Sequence, residues 1–575
     1  MKPVIYQLFI RLFGNKTQTY KIYGTKEENG CGKFEDINVF ALNSLKTFGI
    51  SHVWYTGVIE HAVAADYSKY GIDNDYPEVI KGRAGSPYAI KDYYDVNPDL
   101  AIDVPNRMIE FEDLIKRTHC AGLKVIIDFV PNHLARVYRS DIKPDLNIED
   151  FGLSDNTENS FSVNNDFYYI PGKELKLPEE VHKTSSITEY RKYPARYQEF
   201  PAKVTGNNCF NASPQIGDWY ETVKLNYGVD YMKGGNLCKY STPPVWEKMK
   251  SIILYWAEKK VDGFRVDMAE MVPVEFWEWL IPSVKQKYPE LLFIAEVYQP
   301  GLYRNFIEKG RFDYLYDKVD FYDTVRKVIE KKSDTTAITL CWQRIGDIEK
   351  FMLRFLENHD EQRLASRYFA GDPWKAIPGI VLAGTMNTGP LLLYFGQEVG
   401  ESAEGISGFS GDDGRTTIFD YWAVPNHQKW MSNGEFSGKM LSSGQSELRK
   451  NYSLILKMIN DHEVFCKGSF YDLMWVNDDI NRQSFRSIYA YLRYYNEDIV
   501  LIIINFGDEK YSGLKLYIPE DAFRAIQINE ELKVVNSMVF PDGTRLSVAE
   551  KAIIKDHFIF DITSLSALVL FMKKR

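Results

Sequence analysis

Residues 261–267 read Val261-Asp262-Gly263-Phe264-Arg265-Val266-Asp267. The run predicts a short buried strand that ends on a carboxylate. Side chains alternate along a strand, so Arg265 and Asp267 fall on one face and Phe264 and Val266 on the other. An arginine two residues before an aspartate on the same face holds that aspartate ionised and aims it. Taken by itself, the pair is a structural ion pair at a strand end. The chain on either side decides whether it is more.

Working outward, helical spacing is predicted over residues 244–260 before this strand and 274–287 after it, followed by a strand at 291–297. Earlier in the chain, strands are predicted at 4–13, 50–55 and 125–130. Apolar residues at helical spacing lie between them, around Phe40 to Phe48 and around Met108 to Ile115. Later strands are predicted at 312–316, 351–357 and 390–395, with helices at 374–386 and 448–459. Strand and helix alternating in this way means right-handed βαβ units and a parallel sheet. About eight such repeats close a (β/α)8 TIM barrel. The rhythm breaks between residues 134 and 243, a stretch rich in Asn, Asp, Tyr and Pro and too long for a loop. From residue 463 short strands replace helices, with a hairpin across Asn496-Glu497-Asp498. The reading is an α/β fold: a barrel over 1–133 and 244–462, an inserted domain after strand three over 134–243, and a C-terminal antiparallel β-sandwich over 463–575.

Bulk properties narrow the function. Across 575 residues the net charge is −10 and the pI about 5.6, which excludes nucleic acid and anionic membrane as partners because a phosphate surface needs a basic face. No apolar run is long enough to span a membrane. The first thirteen residues carry neither an apolar leader core nor a small-residue cleavage site, so a cytoplasmic location is expected. The six cysteines show no CxxC spacing, which gives no zinc signal and points to reduced thiols; a Cys209–Cys238 bridge is the one pairing considered. Aromatics are abundant, with 38 Tyr, 34 Phe and 11 Trp. Most belong in cores, and their flat faces also suit sugars.

In a parallel barrel the chemistry sits where strands end. The third strand ends Asp128-Phe129-Val130-Pro131-Asn132-His133, the fourth at Asp267, the fifth at Ala295-Glu296, and the seventh at Glu357-Asn358-His359-Asp360. Any one of these carboxylates would pass as a solvated strand end or a helix cap. Together they gather on one rim, where unpaired buried acids are costly unless they serve a purpose. Glycoside cleavage is such a purpose, since it needs one ionised and one protonated carboxyl flanking the scissile bond. Asp267, beside Arg265, is then the nucleophile. Glu296, near other acids at an apolar strand end, is expected to titrate high and to act as general acid and then base. Asp360 would hydrogen-bond the distorted sugar. Tyr88, His133, His359, Arg265 and Asp128 would bind substrate.

These segments resemble the α-amylase family, glycoside hydrolase family 13. The match rests on Asp128–His133, Gly263–Asp267, Ala295-Glu296 and Glu357–Asp360, in the family's order, supported by Tyr88-Ala89-Ile90-Lys91-Asp92, Gly389-Pro390, Gly396-Gln397-Glu398 and a diverged Leu225-Asn226. The resemblance implies a retaining enzyme acting on α-glucosidic bonds of starch or maltodextrin, with an α-glucan oligosaccharide or polysaccharide as its partner. It needs no cofactor for the chemistry. A structural calcium is the one metal implied, with Asn132 among its ligands and others from the inserted domain and a backbone carbonyl near Met271. Where the α-amylases commonly carry Lys-His after the nucleophile, this chain has Glu270 and Met271. That departure bears on the leaving-group side and keeps two alternatives open, a transglycosylase and an exo-acting or α-1,6-directed glucosidase. A non-catalytic sugar-binding protein on the same scaffold is the remaining reading, and it is disfavoured because all three carboxylates are present.

Overall fold

The computed structural model describes residues 2–142, 149–181, 196–238, 241–480, 484–527, 531–543, 553–554 and 556–574. Eight parallel strands form its centre: β1 (Val4–Phe9), β2 (His52–Thr56), β3 (Lys124–Phe129), β4 (Gly263–Val266), β5 (Leu292–Ala295), β6 (Tyr314–Tyr316), β7 (Met352–Leu353) and β8 (Leu391–Tyr394). Each pairs with its neighbour in sequence, and β8 returns to β1. A bridge between Arg354 and Leu391 closes the ring, as the repeat count predicts. The strands are buried on both faces, which is why β3 reads as an almost continuous apolar run broken only by Asp128.

Register sets the site. Arg265 lies opposite Asp128 on β3 and Ile294 on β5, and Val266 lies opposite Phe129 and Ala295. The Asp267 N–H therefore donates to the Phe129 carbonyl at 2.9 Å, and the Glu296 N–H to the Val266 carbonyl at 3.1 Å. Asp267 and Glu296 thus emerge side by side at the C-terminal rim, with Asp128 beneath them, opposite Arg265. Gly263 permits the close approach that this needs. A Cβ there would meet the Leu292 Cβ at 2.9 Å and the Leu292 carbonyl oxygen at 3.0 Å.

Strand β7 is shorter than the 351–357 predicted. Beyond Arg354 the chain leaves the ladder, and there the Glu357 carboxylate is held by Arg363 at 3.1 Å and by the Leu364 N–H at 2.7 Å. In the insertion the described residues form three antiparallel ribbons: His133–Ala135 with Thr222–Lys224, Tyr169–Ile170 with Ala202–Lys203, and Val229–Asp230 with Asn236–Leu237. The first grows directly out of the β3 exit and pins the insertion over the barrel rim. The last barrel helix spans Ser443–Asp461 and is opened by a capping box in which Ser442 and Gln445 exchange hydrogen bonds.

The C-terminal region is antiparallel, as predicted. Strands β9 (Ser469–Asp472), β10 (Ile488–Tyr495), β11 (Asp498–Asn505), β13 (Leu532–Phe540), β14 (Ile553–Ile554) and β16 (Ser566–Lys574) form one sheet in the order 9-10-11-16-13-14, while β12 (Tyr511–Tyr517) and β15 (His557–Ile562) pair separately. The β10–β11 turn has two residues, Asn496 and Glu497, because Tyr495 already pairs with Asp498. Asn496 takes the positive φ of 54° that such a turn demands. Arg493 joins this sheet to the barrel by donating to the Met386 carbonyl at 2.7 Å and the Gly468 carbonyl at 2.6 Å. All six cysteines, Cys209 and Cys238 included, are free thiols.

Candidate active site

Arg265 is fully enclosed and organises the rim. Its Nη1 lies 2.8 Å from Asp267 Oδ1 and 3.6 Å from Asp128 Oδ1, its Nη2 lies 2.8 Å from Glu296 Oε2, and its Nε donates to the Tyr316 hydroxyl at 3.2 Å. The one-to-one Arg265–Asp267 pairing expected from the strand pattern is thus a shared one. One guanidinium faces three buried carboxylates, which leaves excess negative charge in a poorly solvated place, so the cluster retains a proton. Burial pushes Asp267 well above the usual carboxylate range; Arg265 opposes the push, while Glu296 and Asp128 add to it. Burial raises Asp128 to about 7, against Arg265 and the Trp54 indole N–H that donates to its Oδ2 at 3.1 Å.

Glu296 is held on both oxygens. Oε1 accepts from the Tyr298 hydroxyl at 2.5 Å, and Oε2 accepts from the Met268 N–H at 2.8 Å. Met268 presents that N–H from a left-handed conformation with φ of 42°. Such strain in a non-glycine residue persists where the surroundings enforce it, and it falls directly after Asp267. Glu270 does not line the cavity. Its Oε2 accepts from the N–H groups of Tyr298 and Gln299, both at 3.0 Å, and so fixes the loop that carries Tyr298 onto Glu296.

A cavity of about 310 Å³ opens beside these groups. It is lined by Asp267, Glu296, Asp360, Tyr88 and His133 among the residues singled out from sequence, and by Lys81, Glu221, Trp219, Tyr298 and Phe419 among those that were not. Asp360 keeps 39% of its side chain open to the cleft. Burial raises its carboxyl, with Arg265 and Arg415 pulling the other way, and the open side limits the shift. Burial pushes the His133 imidazole down to about 3, with the positive charges of Lys224 and Lys81 adding to the push, so this ring is neutral at working pH. Arg265, Asp128 and His359 stand behind the wall. His359 is fully buried: Gln7 Nε2 meets its Nδ1 at 2.8 Å, while its Nε2 is bonded to the Tyr88 hydroxyl and lies 3.2 Å from Asp360 Oδ2. It therefore orients Tyr88 and Asp360, which reach the cavity themselves.

Both polar side-chain atoms of Asn132 have protein partners. Its Oδ1 accepts from the Lys224 amino group at 2.6 Å and its Nδ2 donates to the Gly206 carbonyl at 2.8 Å. Lys224 comes from the ribbon strand paired with the β3 exit, and burial pushes its amino group down to about 7. Among the described residues no three His, Cys, Asp or Glu side chains group as a metal would require.

Of the residues sequence reasoning missed, Tyr298 had a local signal, standing two positions beyond Glu296 on the same strand exit. Lys81, Trp219, Glu221 and Phe419 had none, since they arrive from three distant loops. No helix among the described residues is long and apolar enough to cross a membrane.

Carboxylates thus converge on one guanidinium at the C-terminal rim of a barrel, beside an aromatic-edged cavity. The α-amylase catalytic-domain family model matches residues 25–418, and the chain belongs to that family. It is 23% identical over 372 residues to "Alpha-amylase 3" of Dictyoglomus thermophilum, a match covering 59% of this chain and 60% of that protein. It is 26% identical over 148 residues to the "Alpha-1,4-glucan:maltose-1-phosphate maltosyltransferase" of Myxococcus xanthus, covering 25% of this chain and 18% of that one. In fold it is similar to a "noncanonic maltogenic alpha-amylase" from Thermotoga neapolitana (TM-score 0.58, 19% identity, 100% of this chain and 99% of that chain). It is also similar to an α-amylase from Geobacillus thermoleovorans solved with acarbose (TM-score 0.60, 16% identity, 100% and 98%).

Proposed function

We propose that the protein hydrolyses α-glucosidic bonds of maltodextrin-type substrates with retention of configuration. Asp267 attacks the anomeric carbon and forms the glycosyl-enzyme ester. Glu296 gives a proton to the departing glycosidic oxygen, then takes one from the water that cleaves the ester. Asp360, open to the cleft, hydrogen-bonds the sugar hydroxyls as the ring flattens. Tyr88 and His133 form the wall against which that sugar rests.

The observation that carries this reading is the shared guanidinium. Asp267 and Glu296 sit on two nitrogens of Arg265, each at 2.8 Å. Sharing one guanidinium keeps the two carboxylates close, which favours the roughly 5 Å separation of a retaining pair over the wider gap of an inverting one. In the reactive form the proton the cluster retains is on Glu296, the proton donor, and Asp267 is the attacking carboxylate held by Arg265. The Lys224–Asn132 contact leads us to assign the work of holding the insertion to that lysine, with no calcium requirement.

Proton NMR of the products of a maltooligosaccharide digest tests the assignment. The α-anomer appears first and mutarotates later. Asp267→Asn and Glu296→Gln each lower turnover by about a thousandfold or more, with thermal midpoints close to the parent's. A first-formed β-anomer, or near-parental turnover in either folded variant, overturns it.

A further inference from the structure

Lys81 and Glu221 meet inside the cavity, Nζ to Oε1 at 3.0 Å, with side chains only 10% and 4% exposed. They come from different parts of the chain, Lys81 from the loop after β2 and Glu221 from the insertion. Neither belongs to the catalytic cluster around Arg265. The second carboxylate oxygen, Glu221 Oε2, is buried and accepts no hydrogen bond. A buried carboxylate oxygen without a donor is costly, and because its side chain lines the cavity, a small turn of the carboxylate would bring an acceptor to an entering hydroxyl. The Lys81 ammonium, with three donors, can keep its partner and still meet a second oxygen.

The loops around the pair are tied together. Arg11 donates to the Ala84 carbonyl at 2.7 Å and to the Ile418 carbonyl at 2.6 Å. The Ala84 N–H donates to the Phe419 carbonyl at 2.9 Å, and the Arg136 N–H to the Glu221 carbonyl at 3.1 Å. The loops after β2 and β8 are thus tied to each other, and Glu221 is fixed by the insertion's first ribbon. The half-buried members of the lining, Trp219, Met268, Tyr298, Asp360 and Phe419, form the mouth, while Lys81 and Glu221 lie on the enclosed wall. At about 310 Å³ the cavity is at the small end for ligand sites.

We propose that Lys81 and Glu221 form the closed end of the sugar site and read the hydroxyls of a chain-terminal glucose, so that the enzyme works from chain ends and short oligosaccharides. The inference rests on the glycosidase reading above and adds its direction of attack. Two chromogenic maltoheptaosides test it on the natural protein, one with a free non-reducing end and one with that glucose blocked by a 4,6-O-ethylidene group. The free substrate is shortened stepwise, and the blocked one is cut at least about tenfold more slowly. Equal rates on both overturn the proposal while leaving the glycosidase reading in place. Cleavage of neither overturns both. In a second measurement, Glu221→Gln raises KM for maltotriose about tenfold with a smaller change in kcat, as expected for loss of a charge-assisted hydrogen bond to substrate. An unchanged KM in the folded variant overturns the assigned contact.

Discussion

The residue that most repays attention is Asp128. It lies behind the cavity wall, one strand from Asp267, and shares Arg265 with two other acids. Its carboxyl is raised to about 7 in the fold, against about 3.9 in an unfolded chain. The folded state therefore holds a proton on Asp128 that the unfolded state has lost between those values. The corresponding stability is full below about pH 4 and is lost as pH rises through about 7. Asp128→Asn keeps the shape and an acceptor for Trp54 while removing the charge. The thermal midpoint of the variant minus that of the parent should be near zero at pH 4 and grow positive toward pH 7, while activity falls. A difference that is flat across this range, or that shrinks with rising pH, contradicts the placement. At this scale the clustering of acids around Arg265 was legible, because Asp128, Arg265, Asp267 and Glu296 lie near the ends of neighbouring strands and strand alternation fixes their side. The sharing of Arg265 was not, because register across three strands decides it. Nor was the enclosure of His359, which depends on Gln7 at the start of the chain.

At the scale of elements, the β3 exit and its ribbon show how an inserted domain is held. His133–Ala135 pairs with Thr222–Lys224, and that register delivers the Lys224 amino group to Asn132. The sequence placed Asn132 correctly at the strand end, but its partner stands 92 residues away across a stretch with little periodicity, so the amino group could not be foreseen. On the proposal that this contact does the work of a metal, a chelator should leave both thermal midpoint and activity unchanged. Lys224→Ala, which strips a buried oxygen of its donor, should destabilise the protein by about 1–3 kcal/mol. A large loss of midpoint on chelation, restored by calcium, contradicts this account. Glu270 has a comparable role at the β5 exit. The departure from the family's Lys-His pattern was visible as a change of residue, and its consequence is a clamp on the Tyr298 loop rather than a direct contact with sugar.

For the whole molecule, the alternation of strand and helix was enough to read a closed barrel, because each βαβ unit is set by local periodicity. The edges were less legible. Strand β7 is only two residues long, and the chain beyond it is held by side-chain contacts such as that of Glu357 with the Leu364 N–H. The cavity's enclosed end is built by three loops whose meeting depends on the assembled barrel and insertion together. The central claim is that this assembly makes Asp267 a covalent nucleophile. Incubating the intact protein with a 5-fluoro-α-glucosyl fluoride, which slows hydrolysis of the glycosyl-enzyme, and weighing it by mass spectrometry tests that claim directly. The account predicts one sugar adduct per chain, on the peptide that contains Asp267 and absent from Asp267→Asn. An adduct on another carboxylate, or an active enzyme that never acquires one, would contradict it.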